Sequence, residues 1–201
     1  INPENWEKEI KTKKLEGQLF PDSYLFPFGA TREEILKIVQ KNFQKKVVDG
    51  LKEEWSVSGK KLDFVLKLAS IVEREAKNDK DRAIVAGILI KRLEEDWPLQ
   101  VDATIQYAVA SKKCSILTYP CDWWPDSLSK QDLQIKSSLN SYLNKGLPPI
   151  PICNPGLSSI KAVINPSASP YWYYISDLEG KMHYAKTSEE HQANISKYLL
   201  H

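Results

Sequence analysis

Between residues 61 and 77, Val65, Leu68, Ala69, Val72 and Ala76 recur at three- and four-residue intervals. Only an α-helix gathers such positions on one face, so this stretch reads as a helix with a buried stripe. A charged break from Asp79 to Asp81 follows. A second helix is expected over about 81–95, with Ile84, Val85, Ile88, Leu89 and Leu93 apolar and Pro98 beyond its end. The chain has 201 residues, which suits one domain with a core of its own.

The remaining chain is punctuated by breakers. Gly17, Pro21, Pro27 and Gly29 exclude a long helix over 15–29, and the aromatics there make it a packed, extended segment. Thr31 followed by Glu34 is a capping box, opening a helix that carries Ile35, Ile38, Val39 and Phe43. Residues 50–60 read as a polar break around Gly50 and Gly59, and 111–127 as irregular. Short helical turns are expected near 102–110 and 129–136. Gly146-Leu147-Pro148-Pro149-Ile150-Pro151 is a rigid extended loop, and a helix over 156–164 is closed by Asn165-Pro166. Two aromatic runs, Tyr171–Ser176 and Lys181–Ala185, flank Asp177-Leu178-Glu179-Gly180 and predict a hairpin. A last helix starts near Ser188. The class is α+β, mostly helical, with a C-terminal β-hairpin and short strands.

Charge narrows the function classes. Twenty-eight Lys and Arg against 26 Asp and Glu leave a net charge of +2, too little to argue for a nucleic-acid binder or a membrane-surface protein. The early lysines, Lys8, Lys11, Lys13 and Lys14, are interrupted by acids and read as a solvated leading segment over 1–14. Cys114, Cys121 and Cys153 are odd in number and lack zinc spacing, so no metal is expected. A Cys114–Cys121 disulfide and ordinary thiols both stand as readings. No apolar run approaches the ~20 residues of a membrane span. The chain begins at Ile1 without a methionine and reads as part of a longer protein.

The run Leu68-Ala69-Ser70-Ile71-Val72-Glu73-Arg74-Glu75 sets carboxylates into an apolar helix. Burial disfavours the charged form of a carboxylate, which is the state a glycosidase general acid needs. Glu73 shares its helical row with Leu62, Leu66 and Ala69, and Glu75 with Phe64, Leu68 and Ile71. Periodicity does not choose between them. The plainer alternative makes both boundary charges, paired with Arg74, Lys77 or Arg82. Asp102 suits either a helix N-cap or a substrate contact, and Asn140-Ser141-Tyr142 either a turn or a sugar-binding cluster. His183 and His191 are weaker candidates. No serine nucleophile elbow, Gly-rich phosphate loop or metal-binding His pair is present.

Order and identity of motifs say more than any one of them. Glu16-Gly17-x-Leu19-Phe20-Pro21-Asp22-x-Tyr24 comes first, then Ala69-Ser70-Ile71-Val72-Glu73-Arg74-Glu75 and Val85-Ala86-Gly87-Ile88-Leu89-Ile90-Lys91-Arg92-Leu93. Leu99-Gln100-x-Asp102-x-Thr104, Asn140-x-Tyr142, Gly146-Leu147-Pro148-Pro149-x-Pro151-Ile152 and Asn165-Pro166-x-x-x-Pro170-Tyr171 follow. From about residue 15 to the end the chain resembles the endolytic murein transglycosylase, or YceG-like, family. Val101 and Ala103 stand where the family usually has threonine and proline around the Asp, and Leu139 where it often has tyrosine.

The resemblance implies a catalytic domain over 15–201 with a lysozyme-like catalytic helix. The full-length protein would be held in the cytoplasmic membrane by an N-terminal helix absent from this chain, as is a LysM-like module. The domain would act on the periplasmic or extracellular side. The substrate implied is the peptidoglycan glycan strand, with cell-wall synthesis proteins as further partners and no cofactor. The resemblance places the catalytic glutamate on Glu73, with Gln100, Asp102, Asn140 and Tyr142 binding substrate. One carboxyl would protonate the oxygen linking N-acetylmuramic acid to N-acetylglucosamine in nascent strands. It would then accept the proton of the C6 hydroxyl, leaving a 1,6-anhydro end and terminating elongation. Two alternatives differ in class: a hydrolytic muramidase with Asp102 or Glu75 as the second carboxylate, and an inactive glycan-binding or scaffold domain.

Overall fold

In a computed structural model the described residues are 10, 14–114, 123–125 and 127–199. The leading segment 1–14 lies almost wholly outside them, as do Cys121 and most of the irregular stretch 111–127.

The first helix, α1 (Arg32–Phe43), begins with the expected capping box: the Glu34 carboxylate accepts the Thr31 N–H at 2.8 Å, and Thr31 Oγ1 accepts the Glu34 N–H at 3.3 Å. It runs into a π-helical turn, Gln44–Asp49, which buries Val47. The polar break expected over 50–60 instead holds α2 (Lys52–Ser58). Gly59, at φ +63°, ends this helix in the left-handed conformation, and the Trp55 indole donates to the Val47 carbonyl at 2.9 Å. The glycine was a stop signal for a helix that precedes it.

The apolar stripe forms α3 (Leu62–Glu75), with Val65, Leu68, Ala69 and Val72 buried. Helix α4 (Asp79–Glu94) starts from Asn78, whose side chain accepts the Asp81 N–H at 3.0 Å. The turn expected near 102–110 is a full helix, α5 (Asp102–Lys113), and that near 129–136 is a single 3-10 turn, Asp132–Gln134. Helix α6 (Leu157–Ile164) packs against both α3 and α4. Its Ile160 and Val163 join Leu68, Val72, Val85 and Leu89 in one buried cluster. Close contact is built in at Gly87 of α4, where a Cβ would lie 2.1 Å from the Ser167 carbonyl oxygen.

The hairpin is where the aromatic runs placed it. Strands β1 (Tyr173–Ser176) and β2 (Met182–Ala185) pair antiparallel, with Tyr174 opposite Tyr184 and Ile175 opposite His183. Helix α7 (Ser188–Tyr198) covers both strands. The fold is α+β, and among the described residues its sheet is this one hairpin. Among them no helix is long and apolar enough to cross a membrane.

Candidate active site

The last turn of α3 presents two glutamates with different surroundings. Glu73 reaches the start of α6. Its Oε2 accepts the Gly156 N–H at 3.0 Å and the Ser159 hydroxyl at 2.6 Å, while Oε1 lies 3.7 Å from the Arg82 guanidinium of α4. Helix α6 opens on Gly156, which has no side chain to cap its free N–H groups. Glu73 supplies that cap from another helix and sets a negative charge at the positive end of α6. This is the Arg82 pairing of the plainer sequence reading, extended by two hydrogen bonds. Nearby, the Cys153 thiol donates to the Ser70 carbonyl at 3.2 Å, and burial with the Glu73 charge pushes it up to about 12. It is a proton-bearing thiol rather than a nucleophile.

Glu75 faces a different group. Its carboxyl is raised from the ordinary 4.5 to about 7, first by desolvation and then by the negative charge of Asp102, against the Tyr174 hydrogen bond and the positive charges of Arg74 and Arg92. Desolvation is thus the dominant influence on the Glu75 carboxyl. Four elements besides α3 assemble this group: Asp102 from α5, Arg92 from α4, Tyr174 from β1, and Tyr142 from the loop before Gly146. Arg92 is 6% exposed. It donates to the Trp172 carbonyl at 3.0 and 2.6 Å and to the Leu99 carbonyl at 2.6 Å. Those carbonyls meet the hydrogen-bonding need of a buried guanidinium.

Two motifs are laced together to place Asp102 and Tyr142. Ser141 is the knot: its hydroxyl accepts the Val101 N–H at 2.9 Å and bonds Thr104 Oγ1 at 2.8 Å, and its carbonyl accepts the Gln100 N–H at 3.0 Å. The result is a 2.5 Å hydrogen bond from the Tyr142 hydroxyl to Asp102 Oδ1. Burial, then that bond, holds the Tyr142 phenol well above its ordinary 10. Asp102 is not an N-cap. Val101 holds that position, and Asp102 is the first residue of α5, its side chain exposed toward Tyr142.

The other sequence candidates divide. Gln100 is exposed and sits at φ +52°, a left-handed backbone that strains a residue with a side chain. Its place next to Asp102 keeps it a substrate-contact candidate. Asn140 does not fit that role. It is fully buried, its amide nitrogen donates to the Leu133 and Ile135 carbonyls at 3.0 and 2.9 Å, and its oxygen accepts the Tyr142 N–H at 2.9 Å and the Leu143 N–H at 3.2 Å. An amide with every donor engaged internally shapes the loop that carries Tyr142 and has nothing to offer a ligand. His183 bonds Asp177 at 2.8 Å and stacks on Tyr198, and His191 stacks on Tyr173, so both serve the hairpin and α7. Trp123 packs edge-on against Tyr107, and Trp124 lies under the Arg74 guanidinium at 4.0 Å. An open recess of about 460 Å³ lined by Lys60, Lys61, Phe64, Ile90, Leu93 and Glu94 shares no residue with the Glu75 group.

Sequence reasoning missed Tyr174 and Arg92. Both lay inside quoted or recognised segments, but neither aromatic runs nor helix periodicity tells which side chain meets a distant carboxyl.

A sequence model described as the YceG-like family matches residues 2–197. The chain is 34% identical over 193 residues to a Bacillus subtilis (strain 168) protein named endolytic murein transglycosylase, covering 96% of this chain and 50% of that protein. A protein of the same name from Streptococcus pneumoniae serotype 2 (strain D39) is 32% identical over 197 residues, covering 92% of this chain and 32% of its own. A crystal structure of a yceG-like protein from Listeria monocytogenes aligns with a TM-score of 0.77 at 30% identity, over 96% of this chain and 64% of that one. This chain thus spans about half or less of the length of these curated relatives.

Proposed function

The chain belongs to the YceG-like family, and on that premise we propose that residues 15–201 are the catalytic domain of an endolytic murein transglycosylase with Glu75 as its acid and base. The observation that carries the assignment is the desolvated Glu75 carboxyl, raised to about 7 beside Asp102. A group with that affinity holds a proton to give and takes it back readily near neutral pH. Glu73, the acid expected from the motif, is proposed instead as the anchor of α6, because its oxygens are engaged by Gly156, Ser159 and Arg82.

In the proposed reaction protonated Glu75 donates to the glycosidic oxygen between N-acetylmuramic acid and N-acetylglucosamine. The C–O bond breaks with positive charge growing on the muramyl ring. The negative charge of Asp102, held toward the site by the Tyr142 bond, favours that charge. Ionised Glu75 then takes the proton of the C6 hydroxyl as its oxygen closes onto C1. Glu75 ends protonated as it began, water is not consumed, and the product ends in 1,6-anhydromuramic acid. Gln100 and Tyr142 are the proposed sugar contacts. Peptidoglycan lies outside the cytoplasmic membrane, and the disulfide-bonded state of Cys114 supports placing the domain there.

One observation favours a second reading. Asp102 supplies the second carboxylate that hydrolytic muramidases use, close enough for its charge to act on Glu75. Mass spectrometry of glycan released from purified sacculi separates the two. Anhydro ends are expected, and reducing ends in their place make the enzyme a hydrolase.

A further inference from the structure

We propose that Trp97, backed by Trp172 and Tyr173, is a platform on which a sugar ring of the glycan strand stacks beside the proposed reaction centre. The proposal rests on the reading that this chain acts on glycan strands, and not on which glutamate is the acid. Three rings from two distant segments meet here. The Trp97 and Trp172 centroids lie 4.8 Å apart with planes at 42°, and Trp97 and Tyr173 meet edge-on at 6.2 Å. The Lys91 ammonium stands 4.2 Å from the Trp172 centroid, and His191 stacks on Tyr173 at 5.0 Å, so these two rings are covered by charge or by another ring. Trp97 is left 40% exposed. The carbon–hydrogen face of a pyranose is flat and apolar, which suits it to an open indole backed by further rings.

The turn that presents Trp97 is held on several sides. Helix α4 ends at Glu94, and Asp96 follows at φ +54°, a left-handed backbone that strains a residue with a side chain. The Trp97 N–H donates back to the Arg92 carbonyl at 2.8 Å, and Lys145 donates to the Asp96 carboxylate at 2.5 Å. Pro98 fixes the backbone on the other side. One guanidinium joins this platform to the site: Arg92 donates to the carbonyls of both Trp172 and Leu99. Gln100, a proposed sugar contact, comes next in the chain. The three residues from Trp97 to Gln100 span at most about 11 Å, so a strand seated at Gln100 brings a further sugar to Trp97. Binding energy gathered there, away from the bond that is cut, holds the strand in the site.

The test compares Trp97→Leu and Trp97→Tyr with wild type, in cosedimentation with purified sacculi and in initial rates at varied sacculus concentration. Leucine keeps apolar bulk against Trp172 but has no flat face, whereas tyrosine keeps the face. Unfolding midpoints close to wild type show that each variant folds. The expected result for Trp97→Leu is binding weaker by about five- to tenfold, with KM raised to match and kcat unchanged. Trp97→Tyr is expected to retain most of the wild-type affinity. Wild-type binding and KM in Trp97→Leu overturn the proposal, because Trp97 then only packs against Trp172. Equal losses in the leucine and tyrosine variants overturn it too, since the flat face is then not what binds. Failure of wild type itself to bind or cut sacculi overturns the glycan reading instead, so the two failures are read separately.

Discussion

Glu73 and Glu75 stand two residues apart on the same helical turn and do different work. Two residues along an α-helix are a rotation of about 200°, so the side chains leave α3 on opposite shoulders of its apolar stripe. Glu73 meets Gly156, Ser159 and Arg82, a set of donors that ties α3 to α6 and α4. Glu75 meets Tyr174 and the charges of Asp102 and Arg92 in desolvated ground. One carboxylate holds helices together; the other is the proposed acid and base. A motif that contains both says only that a glutamate matters there. Which glutamate does the chemistry is decided by the side chains that arrive from elsewhere in the chain.

Substitution separates the two most sharply. Glu75→Gln is expected to lower the lytic rate by about 10²- to 10⁴-fold, the usual worth of a general acid–base group, with the domain still folded. Glu73→Ala is expected to do the reverse. It loses about 2 kcal/mol of stability in denaturant unfolding, since it strands the Gly156 N–H, the Ser159 hydroxyl and Arg82. Its activity per folded molecule stays within a few-fold of wild type.

The pH dependence of stability distinguishes them again. The Glu75 carboxyl is raised from 4.5 to about 7, so the folded state binds its proton more tightly than the unfolded chain does. Its contribution is full below the ordinary carboxylate range and is lost as pH rises through about 7. Glu75→Gln removes that loss, and unfolding at pH 8 should find the variant more stable than wild type, by on the order of 1 kcal/mol. The smallest effect belongs to Ser159→Ala, about 1 kcal/mol of stability with an unchanged activity profile.

Much of the scaffold was legible because local rules settle it. The stripe from Val65 to Val72, the Thr31–Glu34 box and the turn from Asp177 to Gly180 each carry their reason within a few residues. The elements misread are those held from a distance. Helix α2 buries no residue of its own and hangs on the Trp55 indole reaching Val47, so no periodicity marks it. Asn140 looked like a sugar contact because its use by Leu133, Ile135, Tyr142 and Leu143 is a property of the folded loop. The choice between the glutamates is the extreme case. The hydrogen-bond donors to Glu73 lie 83 and 86 residues downstream, and Tyr174 lies farther still from Glu75, so periodicity within α3 carries no information about them.

The central claim is that Glu75 delivers the proton and Glu73 does not. Its most direct test is a side-by-side assay of wild type, Glu73→Gln and Glu75→Gln on purified sacculi, counting 1,6-anhydromuramic ends per folded enzyme. The account predicts anhydro ends from wild type and from Glu73→Gln, and almost none from Glu75→Gln. Anhydro ends from Glu75→Gln at the wild-type rate, with none from folded Glu73→Gln, would contradict it.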